Sequence, residues 1–350
     1  MEDSAPKQAL DHFVIDRKSY RVEAHNQGYI HNSFKVFEEG QPVFILQQLN
    51  DHVFPNVSGV MENLQQVLPL LKGEGYHPVS YLYTKSRLPF YRDGEGRYWR
   101  LMTYVQKSTS FDFTSDPAIA FETGRVLGLF HKLAAQVKAE TITPVLPGFH
   151  DLTKRKAEFF EILPIAKHRR MEESQGEIRF AKELLEELLD NSPSGLPLRV
   201  CHNDTKLNNF LFSSETGKGL CLIDLDTVMP GFFHFDTGDA IRTLANPNPE
   251  DEKNLEAITF DLQMVKAFLK GIHQSGLPLE EPEKGAIVYG AVLMPFLHGL
   301  RALTDYLAND RYYRVAYPEQ NLDRCRSLFA LVDKTRNKQA ALTALVKEIL

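Results

Sequence analysis

Between residues 202 and 226 the chain concentrates side chains that bind hard cations and move protons: His202, Asn203 and Asp204, then Asn208 and Asn209, then Asp224 and Asp226. Two carboxylates with an amide oxygen make an all-oxygen donor set, which suits Mg²⁺ better than zinc or copper. A further carboxylate beside them can take the proton of an attacking hydroxyl. Phosphoryl transfer asks for both functions, cations to offset charge on the phosphate oxygens and a base for the nucleophile. Asn and Asp also favour loops for conformational reasons alone. A loop built only to turn would seldom place them at this spacing with a strand on either side.

Those strands are legible in the same stretch. NFLF and GLCLI are short apolar runs flanking the turn-rich SSETGKG, the pattern of a β-hairpin. A hairpin brings its outer ends together, so the residues before NFLF should meet those after GLCLI. The spacing H-x-D-x-x-x-x-N at 202, 204 and 209 matches the kinase catalytic loop, where the Asp is the base. I-D-L-D after the hairpin stands where kinases carry the metal-binding Asp of D-F-G. His202 is expected to orient the loop by hydrogen bonding rather than to react. Cys201 and Cys221 read as small hydrophobes inside strands.

The elements that must position this loop fall into two groups. Residues 19–105 read as strands with one helix among them. SYRVEAH, IHNSFKVF and VFILQQL form a meander with turns at Asn26-Gln27-Gly28 and EEGQP, and VSYLYTK and RYWRLMTYV are joined across RDGEG. Between them Val60, Leu64, Val67, Leu68 and Leu71 mark one helical face, with Gly73 as the stop. After residue 105 the pattern turns to long amphipathic helices. Ser115 or Asp116 caps the first, with Pro117 at its first position, and Gly124 and Gly128 would let another helix approach closely. Residues 151–190 are charged and helical, broken at Pro164, and helical patterns return from about 252. The fold class is therefore α+β, an N-terminal five-stranded antiparallel sheet plus helix over residues 1–103 and a mainly helical region over 104–350.

Composition narrows the partners. With 350 residues, 43% of them hydrophobic and 25% charged, the chain reads as soluble and globular. A net charge of −6 argues against nucleic acid or an anionic membrane as partner. MEDSAPKQAL has no basic region followed by an apolar run, so no secretory leader is expected, and no stretch approaches the ~18 apolar residues of a membrane span. Three cysteines without C-x-x-C spacing give neither a disulfide framework nor a zinc site. A cytoplasmic location with reduced thiols is the expectation; oligomeric state is left open.

HNDTKLNN, IDLDTVMPG and GDAIR, supported by ILQQLNDHVF, PGFHDLTKR, LRALTDYL and NLDR, resemble the aminoglycoside phosphotransferase and choline kinase superfamily, and within it the N-acetylhexosamine 1-kinases. The resemblance runs from about residue 20 to 335. It implies a two-lobed protein-kinase-like fold with ATP between the lobes and Mg²⁺ as cofactor. Asp204 would be the base, Asn209 and Asp224 the metal ligands with Asp226 assisting, and Asp239 in GDAIR the aspartate that braces the catalytic loop. Met102, Thr103 and Tyr104 would form the hinge that holds adenine. One departure matters: protein kinases carry a Lys on the third strand, whereas VFILQQL offers Gln47 or Gln48, of which Gln47 is expected to face inward. The phosphate-covering turn is thin in glycine, leaving Gly28, Asn32 and Ser33.

The resemblance makes the acceptor the anomeric hydroxyl of N-acetylglucosamine or N-acetylgalactosamine. Candidate acceptor-binding residues are His150, Asp151, Arg155, Arg301, Asp305 and Tyr306, although Arg301 and Asp305 lie four apart on a helix and could simply pair with each other. The alternatives are a kinase of the same fold acting on an aminoglycoside, choline or another sugar, and a nucleotide-binding protein without catalysis.

Overall fold

The computed structural model describes residues 5–16, 19–25 and 30–350. A short helix α1 (Ala5–Leu10), left unassigned by the sequence patterns, precedes the strands β1 (Tyr20–His25), β2 (Asn32–Glu38) and β3 (Gln41–Leu49). These pair antiparallel in sequence order, as alternation and turn residues dictate. The turn at Asn26-Gln27-Gly28, and with it Gly28, lies outside the described residues. Helix α2 (Val57–Val67) is capped by the Asn56 side chain and buries Val60, Leu64 and Val67. It ends before the expected Gly73 because Pro69 falls in the following turn, where it can continue only as a tight 3₁₀ segment.

β4 (Tyr81–Leu82), β5 (Tyr91–Arg92) and β6 (Tyr98–Thr103) complete the sheet in the order β1-β2-β3-β6-β4, with β5 also on β6. The sixth strand is β5. It folds back onto β6 across a turn in which the Asp93 carboxylate accepts from the N–H groups of Glu95 and Arg97 and from Trp99 Nε1. One face of the sheet is apolar, with Val36, Leu46, Trp99 and Leu101 packed under Leu10 and Phe13. The opposite face carries Ser33, Gln47 and Arg100.

The remaining chain is mainly helical. β7 (Ser108–Thr109) leads to α3 (Pro117–Ala134), capped by Asp116 with Pro117 at its first position. Helices α4 (Leu152–Ile162), α5 (His168–Glu173) and α6 (Gln175–Asp190) follow, with the chain interrupted at Pro164. Four strands come next: β8 (Arg199–Cys201), the hairpin β9 (Phe210–Ser213) and β10 (Gly219–Leu222), and β11 (Met229–Gly231), which pairs with β8. Helices α7 (Phe233–Leu244), α8 (Leu262–Ser275), α9 (Glu281–Leu307), α10 (Gln320–Asn337) and α11 (Gln339–Ile349) complete the chain.

Two helix crossings depend on glycine. A Cβ on Gly124 of α3 would sit 2.0 Å from the Phe268 carbonyl of α8, and one on Gly238 of α7 would sit 2.2 Å from the Gly290 carbonyl of α9. The second crossing lets α7 lie against α9 and so fixes where α7 meets the loop after β8. Contrary to the sequence expectation, α9 is long and apolar enough to cross a membrane by length and composition, but 89% of its most apolar window is buried inside the fold. It is the central core helix, packed by α7 and α10. Cys201, Cys221 and Cys325 are free and buried.

Candidate active site

The chain leaves β8 at Cys201 and enters the polar loop through Asn203, whose φ of 63° lies in the left-handed region that Asn tolerates better than most residues. The Asn203 amide donates to the carbonyls of Cys201, Thr227 and Met229 at 3.1–3.2 Å, stitching the loop to β11. His202 is fully buried. Its Nε2 donates to the Ile223 carbonyl (2.8 Å), which leaves Nδ1 to accept from the Asp204 N–H (3.2 Å). Both ring nitrogens are committed to backbone groups, so His202 is placed to orient the loop.

The brace of this loop is Asp236, not Asp239. The Asp236 carboxylate, at the start of α7, accepts from the backbone N–H groups of His202 (2.8 Å) and Asn203 (2.7 Å) and from His131 Nε2 (2.9 Å). Asp239, three residues further along, bonds elsewhere, accepting from Arg242 Nε (2.6 Å) with His298 Nε2 at 3.3 Å.

Asp204 emerges with one carboxylate oxygen pinned and the other open. Oδ2 accepts from Asn209 Nδ2 (3.0 Å) and pairs with Lys206 Nζ (3.0 Å), while no described residue bonds to Oδ1. The Asn209 amide is held by this bond and by one to the Asp204 carbonyl (2.7 Å), which turns its own oxygen outward. Lys206 was not singled out from the sequence. Its position two residues after Asp204, in D-x-K, is the available signal. Burial pulls its pKa down, but Asp204 and Asp224 outweigh burial and hold it above the usual lysine value.

The hairpin brings the second cluster here, with the Ile223 N–H donating to the Asn209 carbonyl (2.9 Å). The two carboxylates of I-D-L-D then diverge. Asp224, in the left-handed conformation at φ 60°, has no hydrogen-bond or ion-pair partner among the described residues. Burial and the charge of Asp226 raise its pKa, against the pull of Lys206. A carboxylate held beside other carboxylates without a protein donor suits a divalent cation, which Asp224 and the outward oxygen of Asn209 would hold. Asp226 is already satisfied. Arg100 of β6 forks onto both its oxygens, and His31 Nε2 lies 2.6 Å from Oδ2. Burial alone would raise its pKa, yet Arg100 and His31 hold it well below the carboxylate range. Its oxygens thus carry an ion pair, and one of them lies within 4.8 Å of a carboxylate oxygen of Asp224 and a ring nitrogen of His31, a grouping able to hold a metal ion.

On the nucleotide side, Gln47 does face inward. Its Oε1 accepts from Arg100 Nη2 (2.8 Å) and Nε (3.0 Å), and its Nε2 donates to Ser33 Oγ (3.1 Å). Asn32 points the other way, to Gln48 Oε1 (3.2 Å). In the expected hinge the N–H groups of Thr103 and Tyr104 are spent on the carbonyls of Ser80 and Val43, both at 2.9 Å. Met102 pairs with Ile45 and Tyr81 inside the sheet.

The acceptor candidates separate. His150 is buried against the same loop, its Nε2 donating to the Asn203 carbonyl (2.9 Å), and its Nδ1 has no partner among the described residues. Arg301 lies over the rings of Phe149, Tyr312 and Tyr313 at 5.0–5.9 Å. It does not pair with Asp305, which instead accepts from the backbone of Arg311, Tyr312 and Tyr313 and from Asn321. Tyr306 is buried with its hydroxyl on Glu173 (2.6 Å). Asp151 caps α4, and Arg155 spans Glu158 and the Gly148 and Phe149 carbonyls. These four hold local structure. His234 was missed, although it opens the same helix as the brace. It packs edge-on against Tyr289 and next to Phe235, which also touches His150.

Residues 21–263 match the family model described as the phosphotransferase enzyme family. The chain belongs to that family. It is an enzyme, a phosphotransferase, and the solved structures it resembles are kinases of small molecules. Among them is an aminoglycoside phosphotransferase from Alicyclobacillus acidocaldarius, at a TM-score of 0.66 and 15% identity over 98% of this chain and 96% of that one. A microcompartment-associated aminopropanol kinase aligns with TM-score 0.66 and 13% identity over 97% and 98%. An amicoumacin kinase in complex with AMP-PNP and Ca²⁺ aligns at 0.60 and 13% over 95% and 93%. At such identities the likeness establishes the kinase-like α+β fold of this phosphotransferase, not its acceptor.

Three histidines of this phosphotransferase give a pH signature. Burial, above all, holds His150, His234 and His298 down to about 4, while unfolded they titrate near 6.5. Between those values the unfolded chain binds more protons than the folded one, so stability rises with pH across the window and levels off above it. The depressed carboxylates Asp226, Asp239 and Glu250 carry their own stability above the ordinary carboxylate pKa and lose it at lower pH. The melting temperature should fall as pH drops from 6.5 towards 4, with a shallower slope in His298→Asn. A level melting temperature over that window would mean that the histidines are not buried as neutral imidazoles.

Proposed function

We propose that this phosphotransferase moves the γ-phosphoryl group of Mg-ATP to the anomeric hydroxyl of an N-acetylhexosamine, N-acetylglucosamine or N-acetylgalactosamine, with Asp204 as the base. The motif resemblance suggests the sugar. The observation that carries the acceptor reading is a set of polar atoms left unpartnered around the loop that bears Asp204. His150 Nδ1, His234 Nδ1 and Asp239 Oδ2 are buried without partners among the described residues. The charges of both Asp239 and Arg301 reach His150, and His150 in turn lies near His234. Neutral imidazoles and a half-satisfied carboxylate oxygen are hydrogen-bonding groups for sugar hydroxyls.

The side chains around this loop disfavour a cationic acceptor. Cation sites use carboxylates or aromatic faces. Here the aromatic faces of Phe149, Tyr312 and Tyr313 are already covered by Arg301, and Asp239 is paired with Arg242. A fixed guanidinium would repel an incoming ammonium.

In the reaction, the acceptor hydroxyl would give its proton to Asp204 Oδ1, while Lys206 and Asn209 keep the carboxylate in one orientation. Asp224 and Asn209 would hold the cation, which when bound offsets charge on the phosphate oxygens. The nucleotide would lie between the sheet-bearing residues 1–103 and the helical residues 104–350.

The test is ADP release from Mg-ATP against N-acetylglucosamine, N-acetylgalactosamine, glucose, galactose, aminopropanol, choline and kanamycin. Turnover with the N-acetyl sugars and loss of their reducing ends is expected. Turnover confined to the amino alcohols or kanamycin would replace the acceptor. Nucleotide binding without any turnover would favour the non-catalytic alternative.

A further inference from the structure

We infer that Asp226 and Arg100 form an inter-element clamp that sets the height of the nucleotide-binding sheet over Asp224, so that Arg100, supplied from β6, does the positioning work of the lysine missing from β3. The inference rests on the reading of Asp224 as the residue facing the nucleotide's metal. Three geometric facts point to it.

The cation sits at the place that β3 leaves blank. Gln47 and Arg100 are direct register partners across β3 and β6, and the Gln47 oxygen receives two guanidinium N–H groups. Side chains directly opposite in an antiparallel pair have Cβ atoms roughly 4.5–5.5 Å apart. A cation on either strand therefore starts from nearly the same point.

The guanidinium is committed. Nη1 and Nη2 fork onto the two oxygens of Asp226, Nη2 at 2.7 Å, while Nε and Nη2 hold Gln47. Both partners are almost wholly buried, with side-chain exposures of 1% and 2%. Arg100 is thus built to position another residue.

Asp226 gathers a second tether from the sheet. His31, immediately before β2, accepts the Asn50 N–H on Nδ1 (3.0 Å), so Nε2 carries the proton and donates to Asp226 (2.6 Å). Ser33, Gln47 and Arg100 then run as a hydrogen-bonded chain across β2, β3 and β6 and end on the turn two residues after Asp224. The two aspartates of I-D-L-D have divided their labour: Asp224 is left without a partner, and Asp226 locks the sheet to its turn.

The test measures Mg-ADP binding by calorimetry, KM for Mg-ATP and for the acceptor, and thermal unfolding. Arg100→Gln should bind Mg-ADP ~10–100-fold more weakly, the range typical when a partner that orients a metal ligand is lost, while acceptor KM stays unchanged. Arg100→Lys should restore part of the affinity. So should the double variant Gln47→Lys with Arg100→Gln, which moves the cation to its register partner. Because a single substitution strands a buried charge, Arg100→Met with Asp226→Leu removes both charges in one folded variant. Weak nucleotide binding by that variant supports the clamp; wild-type binding by it, or by folded Arg100→Gln, overturns the clamp. A wild-type protein that failed to bind Mg-ADP would overturn the reading of the Asp224 site itself and the clamp with it.

Discussion

Asp204→Asn is expected to lower turnover by about 10²–10⁴-fold while leaving Mg-nucleotide affinity unchanged, because it removes a proton acceptor and little else. The amide is isosteric with the carboxylate and can still accept from Asn209 Nδ2, so the loop keeps its shape. The open oxygen Oδ1 is the one that matters. No described residue occupies it, and a neutral amide there cannot take a proton from the acceptor. Lys206 loses its anionic partner in the variant but keeps the attraction of Asp224, which also raises its pKa. Single-turnover phosphoryl transfer and nucleotide binding, measured side by side, separate the two effects. Near-wild-type turnover in Asp204→Asn would remove Asp204 from the role of base. Weakened nucleotide binding with proportionate loss of turnover would make it a binding residue instead.

The polar loop after β8 could be read from sequence because its determinants are local. Asp204 and Asn209 are five residues apart, and the hairpin that carries Asp224 back to them announces itself through two apolar runs and a turn. The same holds for the meander β1 to β3 and for Asp116 as the cap of α3. What could not be read depends on residues far apart in the chain. Arg100 is 126 positions from Asp226. Only a lone arginine inside the apolar run YWRLM hinted that something buried must answer its charge, since burying an unpaired guanidinium is prohibitive. Asp305 and Tyr306 mislead for a related reason: polar residues on a helix near a suspected pocket look free until their backbone and Glu173 partners come into view. The choice between Asp236 and Asp239 was finer still. Both lie on α7 and, three residues apart, on nearly the same face of the helix, so only the packing of α7 on α9 decides which one meets the loop.

That choice yields the second large effect. Asp236→Ala should cost about 3–5 kcal/mol of stability, the range seen when one partner of a buried charged interaction is removed, and should abolish turnover. The reason is an accounting of donors. Asp236 is fully buried and accepts from the His202 N–H, the Asn203 N–H and His131 Nε2. Alanine leaves all three without an acceptor where water cannot replace it, at roughly 1–3 kcal/mol for each unsatisfied group before any relaxation. Relaxation must come from the loop itself. Asn203 is held in the left-handed region by these bonds, and if it relaxes to ordinary backbone angles it swings Asp204, the next residue. Asp236→Asn should be milder in stability but still inactive, since its amide can accept one N–H but turns a donor towards the other. Asp239→Asn is the control. Arg242 retains Glu250 in that variant, so the cost in stability should be smaller and the kinetic change should fall on the acceptor KM. Denaturant unfolding and steady-state kinetics on the three variants decide the matter. An Asp236→Ala enzyme as stable and active as wild type, beside a collapsed Asp239→Asn, would return the brace to Asp239. The expected order instead ties catalysis to a carboxylate that never touches substrate, through the two peptide N–H groups that aim Asp204.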